Sequence, residues 1–207
     1  GFFDMLALKA KEGVLVRVII DSLGSTELKP VTIAHAREAG VELLFFSYWL
    51  KHTHKKILVV DETIAFVGGV NIHTLFKKWN DLQVRMKGPI VKSIIRSFAR
   101  TYQMCGGTDP RVLAWNSKKT KLNKVRLWIL EHGQPKSRRL VKKYYQETIR
   151  NAHKNITLVT PYFAPQRWLI GVLHQAMLRD VAVHILLPEY TDLWHMNRVN
   201  YFYMHRL

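Results

Sequence analysis

Cysteine is almost missing from this chain, and acidic residues are scarce. The lone Cys105 rules out an internal disulfide and suits a reducing compartment. No histidine motif accompanies it, so it reads as a small hydrophobe rather than a nucleophile. No run approaches the ~18 to 20 uninterrupted apolar residues that cross a bilayer. The opening Gly1-Phe2-Phe3-Asp4 carries neither a basic leader nor a cleavage signal, and no membrane-crossing segment is expected. Only 15 Asp and Glu stand against 32 Lys and Arg, a formal net charge of +17. That field draws polyanions, and it does not choose between nucleic acid, an acidic phospholipid surface and a merely basic, solvated exterior. Apolar residues are plentiful: 48% of 207 residues can bury a core, in one large or two small domains.

Hydrophobic periodicity alternates between helix and strand. An amphipathic helix over 1–12 precedes Gly13 and a β-branched strand over 14–20, which Asp21-Ser22-Leu23-Gly24-Ser25 breaks. A helix over 31–39 stops at Gly40, and 41–46 forms the next strand. Residues 54–60 and 64–67 read as a hairpin around Asp61-Glu62, ending at Gly68-Gly69. A strand over 81–86, the Gly88-Pro89 start of a helix over 90–104, and a loop over 106–110 follow. Such alternation indicates an α/β sheet with helical crossovers. Between 118 and 143 lie ten Lys and Arg and one acid, Glu131, which suits a linker or a basic surface patch. A helix from 140, a strand over 156–160, a helix over 168–178 and a strand over 181–187 complete the chain.

An internal repeat is embedded in that order. Gly13 and Val14-x-Val16-x-Val18-Ile19-Ile20 recur as Asp180 and Val181-x-Val183-x-Ile185-Leu186-Leu187, an offset of 167 residues. Moving His54 by the same offset reaches position 221, beyond Leu207. The expected organisation is a first half over 1–117 with its motif in 49–76, a basic connector over 118–139, and a second half from 140–207 cut before its own motif. The sequence is accordingly expected to be a piece of a longer enzyme.

The chemistry-bearing constellation is His54-x-Lys56-x-x-x-x-Asp61 followed by Gly68-Gly69-Val70-Asn71. If the strand begins near His54, residues two apart share a face, so a nucleophilic imidazole and an ammonium meet one phosphate. Glycines let an anion approach the backbone closely, and the Asn71 amide can donate to its oxygens. In phosphoryl-type transfer, cations stabilise the equatorial oxygens while an in-line nucleophile forms a covalent intermediate. His54 is the candidate nucleophile, Lys56, Gly69 and Asn71 the phosphate-binding set, and Asp81 the carboxylate on the other imidazole nitrogen. Asp61 falls in the hairpin turn, where it should pin the loop rather than touch phosphorus. His52-x-His54 lacks a carboxylate or cysteine set to complete a metal site, and no cofactor is implied.

These residues resemble the phospholipase D superfamily signature, His-x-Lys-x4-Asp with downstream glycines and Asn. Trp79-x-Asp81, Gly88-Pro89-Ile90-Val91 and Thr160-Pro161-Tyr162-Phe163-x-Pro165 look like bacterial cardiolipin synthases. The resemblance implies an α/β fold, a mixed sheet flanked by helices, in two halves facing across a pseudo-twofold axis, the second incomplete here. It implies a phosphohistidine on one histidine with the other as general acid and then base, passing a phosphatidyl group from one phosphatidylglycerol to another. It also implies a membrane-associated location, with the cytoplasmic side of a bacterial inner membrane expected. The second motif must come from a missing C-terminal part or a partner chain. Three rival readings remain: a homodimeric nuclease of the same superfamily, a phospholipase D that hydrolyses lipid, and a scaffold that binds anions through 118–143. The run Phe45-Phe46-Ser47-Tyr48-Trp49 suits a core better than lipid contact, and Trp194, Tyr201, Phe202 and Tyr203 have a spacing that could meet an interface.

Overall fold

The computed structural model describes residues 1–47, 53–73, 76, 79–117, 129 and 135–207, the last beginning with four residues given by backbone alone. Readings placed on Tyr48, Trp49, His52 and most of the 118–139 connector lie outside these residues. The chain divides into two compact units, Gly1–Ile129 and Leu130–Leu207.

In the first unit, α1 (Phe2–Lys11), β1 (Arg17–Asp21), α2 (Pro30–Glu38) and β2 (Glu42–Phe46) form a helix followed by a β-α-β crossover, with β1 and β2 parallel. Successive side chains of a strand point to opposite faces. Val18, Ile20, Leu43 and Phe45 accordingly meet Phe3, Leu6, Ala10, Ile33 and Ala36 from the two helices. Ile19 and Leu44 turn the other way, onto α3 (Val91–Met104).

The same helix supports a three-stranded antiparallel ladder of β3 (Lys56–Val60), β4 (Ile64–Gly68) and β5 (Gln83–Lys87), in that order. Ile57, Val59, Ala65, Val67 and Met86 meet Val91, Ile94, Ile95 and Ala99. Each fully buried Ile or Val contributes about 1.5–3 kcal/mol, which makes α3 the keystone of the unit. A helix that the sequence pattern does not announce, α4 (Pro110–Ser117), adds Val112 and Trp115 to this core. Its signal is Asp109-Pro110, a capping residue before a first-turn proline: Asp109 Oδ1 accepts the Arg111 amide at 2.9 Å.

A polar cluster closes the end of β1 and β2 remote from Asp21. Arg17 donates to Glu42 at 3.1 Å and to Asp109, and the Tyr102 hydroxyl donates to Glu42. The Arg111 guanidinium and amide, then Arg17, hold the Asp109 carboxyl well below the usual carboxylate range. Cys105 is half-buried, and burial pushes its thiol up.

In the second unit, α5 (Pro135–Arg150) leads into β6 (Asn155–Val159), α6 (Arg167–Met177) and β7 (Ala182–Leu186), with β6 and β7 parallel, followed by α7 (Trp194–Met204). Its core is Ile149, Val172, Leu173, Ala176 and Val181, backed by Ile156, Leu158 and Val183. Helix α5 starts at Pro135, inside the segment read as connector. The Thr160 to Phe163 turn is held by Asn200, 6% exposed, whose Oδ1 accepts the Phe163 amide at 2.6 Å and whose amide donates to the Pro161 carbonyl at 3.1 Å.

The repeat recurs in backbone geometry. Val14 donates to Lys9 across the end of α1, and Val181 donates to Ala176 across the end of α6, the same five-residue closure 167 positions on. Gly13 and Asp180, each one residue earlier, both take left-handed φ values, 89° and 60°.

Candidate active site

The hairpin β3–β4 sets the frame. Asp61 and Glu62 have φ of 50° and 55°, and the Thr63 amide donates to the Val60 carbonyl at 3.1 Å, the geometry of a type I′ turn whose twist matches the strands. Glu62 Oε1 accepts the Trp115 indole N–H at 3.2 Å, which ties the turn to α4. Asp61 therefore sits at the distal end of the hairpin, about 17 Å along the strand from Lys56 at ~3.4 Å per residue.

The proximal end gathers the other candidates. Lys56 opposes Gly68, and Gly68 opposes Gln83, so the three lie in one row across the ladder. Gly68 has no Cβ, and one added there would collide with the Gln83 side-chain amide. Gly69 donates its amide to Asp81 Oδ1 at 3.1 Å. Because the ladder of β5 starts at Gln83, Asp81 lies just outside it and its carboxylate is turned to that amide. A Cβ on Gly69 would come to 2.7 and 3.0 Å from the two carboxylate oxygens, so glycine is what permits this approach.

Lys56 Nζ donates to the His54 carbonyl oxygen at 3.2 Å. Burial lowers the Lys56 pKa, while the charges of Asp21 and Asp81 act in the opposite sense. An ammonium at this position can take an anion's oxygens. His54 is exposed, two residues before the first ladder position. Asn71 is also exposed; its carbonyl accepts the His73 amide at 3.0 Å, and His73 Nε2 lies 3.4 Å from Glu27 Oε2. The structure thus joins Lys56, Gly69, Asp81 and the backbone of His54.

Three neighbours escape sequence reasoning. Asp21 ends β1 and accepts the Thr53 amide on Oδ2 at 2.7 Å. Lys55 donates to Ser97 Oγ at 3.0 Å and Thr101 Oγ1 at 3.4 Å on α3. Gln83 overlies Gly68. Only the position of Asp21, at the carboxyl end of a parallel strand where α/β sheets place their ligands, offers a sequence signal. Among the described residues no group of three His, Cys, Asp or Glu side chains is arranged to hold a metal ion, and no helix is long and apolar enough to cross a membrane.

The fold is shared with the polyphosphate kinase of Porphyromonas gingivalis, at a TM-score of 0.55 and 15% identity over 95% of this chain and 30% of that one. Residues 2–102 match the family model described as "Cardiolipin synthase, PLD-like domain". The chain carries a phospholipase D-like domain over residues 2–102. Curated proteins similar to it include bacterial cardiolipin synthases. The cardiolipin synthase of Alkalihalophilus pseudofirmus is 30% identical over 91% of this chain and 41% of its own length. Cardiolipin synthase A of Pseudomonas fluorescens is 31% identical over 91% and 42%. The major cardiolipin synthase of Bacillus subtilis is 30% identical over 91% and 43%. The chain spans about two fifths of the length of the curated relatives it matches.

Proposed function

We propose that this chain carries the nucleophile-bearing half of a phosphatidyltransferase that makes cardiolipin from two molecules of phosphatidylglycerol. The observation that carries the reading is the meeting of Lys56, Gly69 and Asp81 at the hairpin end beside His54, in a chain whose curated relatives include cardiolipin synthases. An imidazole nitrogen of His54 attacks phosphorus, and the bond from phosphorus to the headgroup glycerol oxygen breaks as the new bond to nitrogen forms. The departing oxygen takes a proton from a general acid, for which the second motif of the superfamily is the source. The hydroxyl of a second phosphatidylglycerol then attacks the phosphohistidine, gives its proton back to that group, and frees His54.

Lys56 and the Asn71 side-chain amide bind the phosphate oxygens, where charge accumulates in the transition state, while the single Gly69 N–H is committed to Asp81. Asp81 serves His54 as the carboxylate that fixes its tautomer and stabilises the imidazolium, so its bond to Gly69 doubles as the means of aiming it. The substrate lies in an anionic bilayer, and the excess of 32 basic over 15 acidic residues brings the protein to that surface. The direct test is conversion of phosphatidylglycerol in vesicles by the full-length protein. His54→Ala should abolish cardiolipin formation, and undiminished turnover by that variant would remove His54 from the mechanism. Metal-independent cleavage of DNA with no lipid turnover would move the assignment to a nuclease.

A further inference from the structure

We propose that Asp21 and Lys55 are positioning residues that clamp the His54 segment from both sides, an inference that rests on the reading of His54 as nucleophile. The need for a clamp follows from the ladder. Strand β3 begins its pairing at Lys56, so residues 53–55 have no part in the β3–β4 ladder. A nucleophile must nevertheless be held to a fraction of an ångström for in-line attack.

Two contacts supply the restraint. On the side of β1, the Asp21 carboxylate spans two loops: Oδ1 accepts the Leu23 amide at 3.1 Å and Oδ2 the Thr53 amide at 2.7 Å. A carboxylate taking a backbone N–H forms a charge-assisted bond, stronger than a neutral one. On the other side, Lys55 reaches α3, where Ser97 and Thr101 are 2% and 7% exposed. Its Nζ donates to both hydroxyls, and Thr101 Oγ1 donates onward to the Ser97 carbonyl at 3.2 Å.

Ile57 and Val59, at the following odd positions of the strand, pack on the same helix through apolar contacts. A lysine at position 55 therefore stands where a hydrophobe would fit the pattern, and it meets two hydroxyls set into the helix face. With residue 53 tied to β1 and residue 55 tied to α3, the intervening His54 is left exposed, with restraints on both neighbours. Neither anchor belongs to the phosphate-binding set: Lys55 acts through the placement of His54, and Asp21 through that placement and through its charge near Lys56, which Asp21→Asn removes without removing the acceptor.

The test uses the full-length protein and phosphatidylglycerol vesicles, with kcat, KM and folded fraction measured for Asp21→Ala, Asp21→Asn, Lys55→Met and Lys55→Arg. Misplacement by about an ångström costs on the order of 100-fold in rate. Asp21→Ala and Lys55→Met should lose ~10- to 100-fold in kcat per folded molecule with KM little changed. Asp21→Asn, which keeps an acceptor oxygen, and Lys55→Arg, which keeps donors, should recover part of the loss. Glu62→Gln, which weakens a bond to Trp115 at the far turn, should lower thermal stability and leave kcat alone, as a merely structural contact would. Wild-type kcat per folded molecule in Asp21→Ala and Lys55→Met, beside an inactive His54→Ala, would overturn the clamp and leave the nucleophile standing. An active His54→Ala would instead overturn the reading on which the clamp rests. If Asp21→Ala fails to fold, the Lys55 pair and Asp21→Asn carry the same comparison.

Discussion

Gly69→Ala perturbs the site by one methyl group. The new Cβ would stand 2.7 Å from Asp81 Oδ2, 3.0 Å from Oδ1 and 3.2 Å from Cγ. Ordinary contacts between carbon and other heavy atoms begin near 3.4 to 3.5 Å, so the carboxylate must retreat by roughly 0.5–1 Å. Its bond to the Gly69 amide, 3.1 Å in the structure, then stretches beyond useful length. A hydrogen bond to a charged group contributes about 1.5–3 kcal/mol, and each 1.36 kcal/mol is a factor of ten. If that restraint aims Asp81 at His54, kcat falls by about 10- to 100-fold. Stability changes little, because Gly69 is exposed and its φ is not in the left-handed region. The matched control is Gly68→Ala, where the methyl meets the mobile, exposed end of Gln83, which can swing aside. Both variants of the full-length protein are assayed for cardiolipin formation, with thermal melts alongside. Wild-type kcat in Gly69→Ala, or a loss as large in Gly68→Ala, would refute the argument that the Gly69 to Asp81 contact aims the site.

Asp81→Asn removes one of the two charges that oppose the burial of Lys56, so the lysine loses its proton at lower pH. The alkaline limb of the residual rate should move down the pH scale, and an unmoved limb in a full pH profile would contradict it. Gly13→Ala and Asp180→Gly should act with opposite signs. The first forces a side chain into φ of 89°, at a cost of about 1–2 kcal/mol, and the second relieves φ of 60°, with a gain of up to ~1 kcal/mol. Urea unfolding of each checks this. In the second unit, the Tyr162 hydroxyl donates to Asp192, which pushes its pKa up to about 12. The folded value exceeds the unfolded value of ~10, so this contribution is whole below pH ~10 and is lost as pH rises to about 12. Tyr162→Phe should flatten that part of the stability profile, and an unchanged slope would contradict it.

How much of this the sequence discloses depends on whether a signal is local. The alternation of Ile57, Val59, Ala65 and Val67 marks strands with one face on a helix, and those residues meet α3. The repeat is legible because matched residues at 14 and 181 close the ends of matched helices. Helix α4 hides because Val112 and Trp115 are too short an apolar stripe to stand out, although Asp109-Pro110 marks its start. Asp61 illustrates a limit of motif reading. It closes the signature in sequence, while the extended strand carries it to the far turn. The reverse holds for Asp21, Lys55 and Gln83. Asp21 and Gln83 reach the His54 neighbourhood through tertiary pairing, and Lys55, next to His54 in the chain, reaches α3 the same way; the spans are 32 residues from Asp21 to Thr53 and 42 from Lys55 to Ser97, and no local pattern encodes such meetings.

The proposed mechanism turns on a covalent bond between phosphorus and His54. The full-length protein should be mixed with phosphatidylglycerol labelled in its phosphate, quenched in alkali where phosphohistidine survives, and digested for peptide mass mapping. Label should appear on the peptide that contains His54 and be missing from His54→Ala. Label on another residue, or steady turnover with the His54 peptide unlabelled throughout, would contradict it.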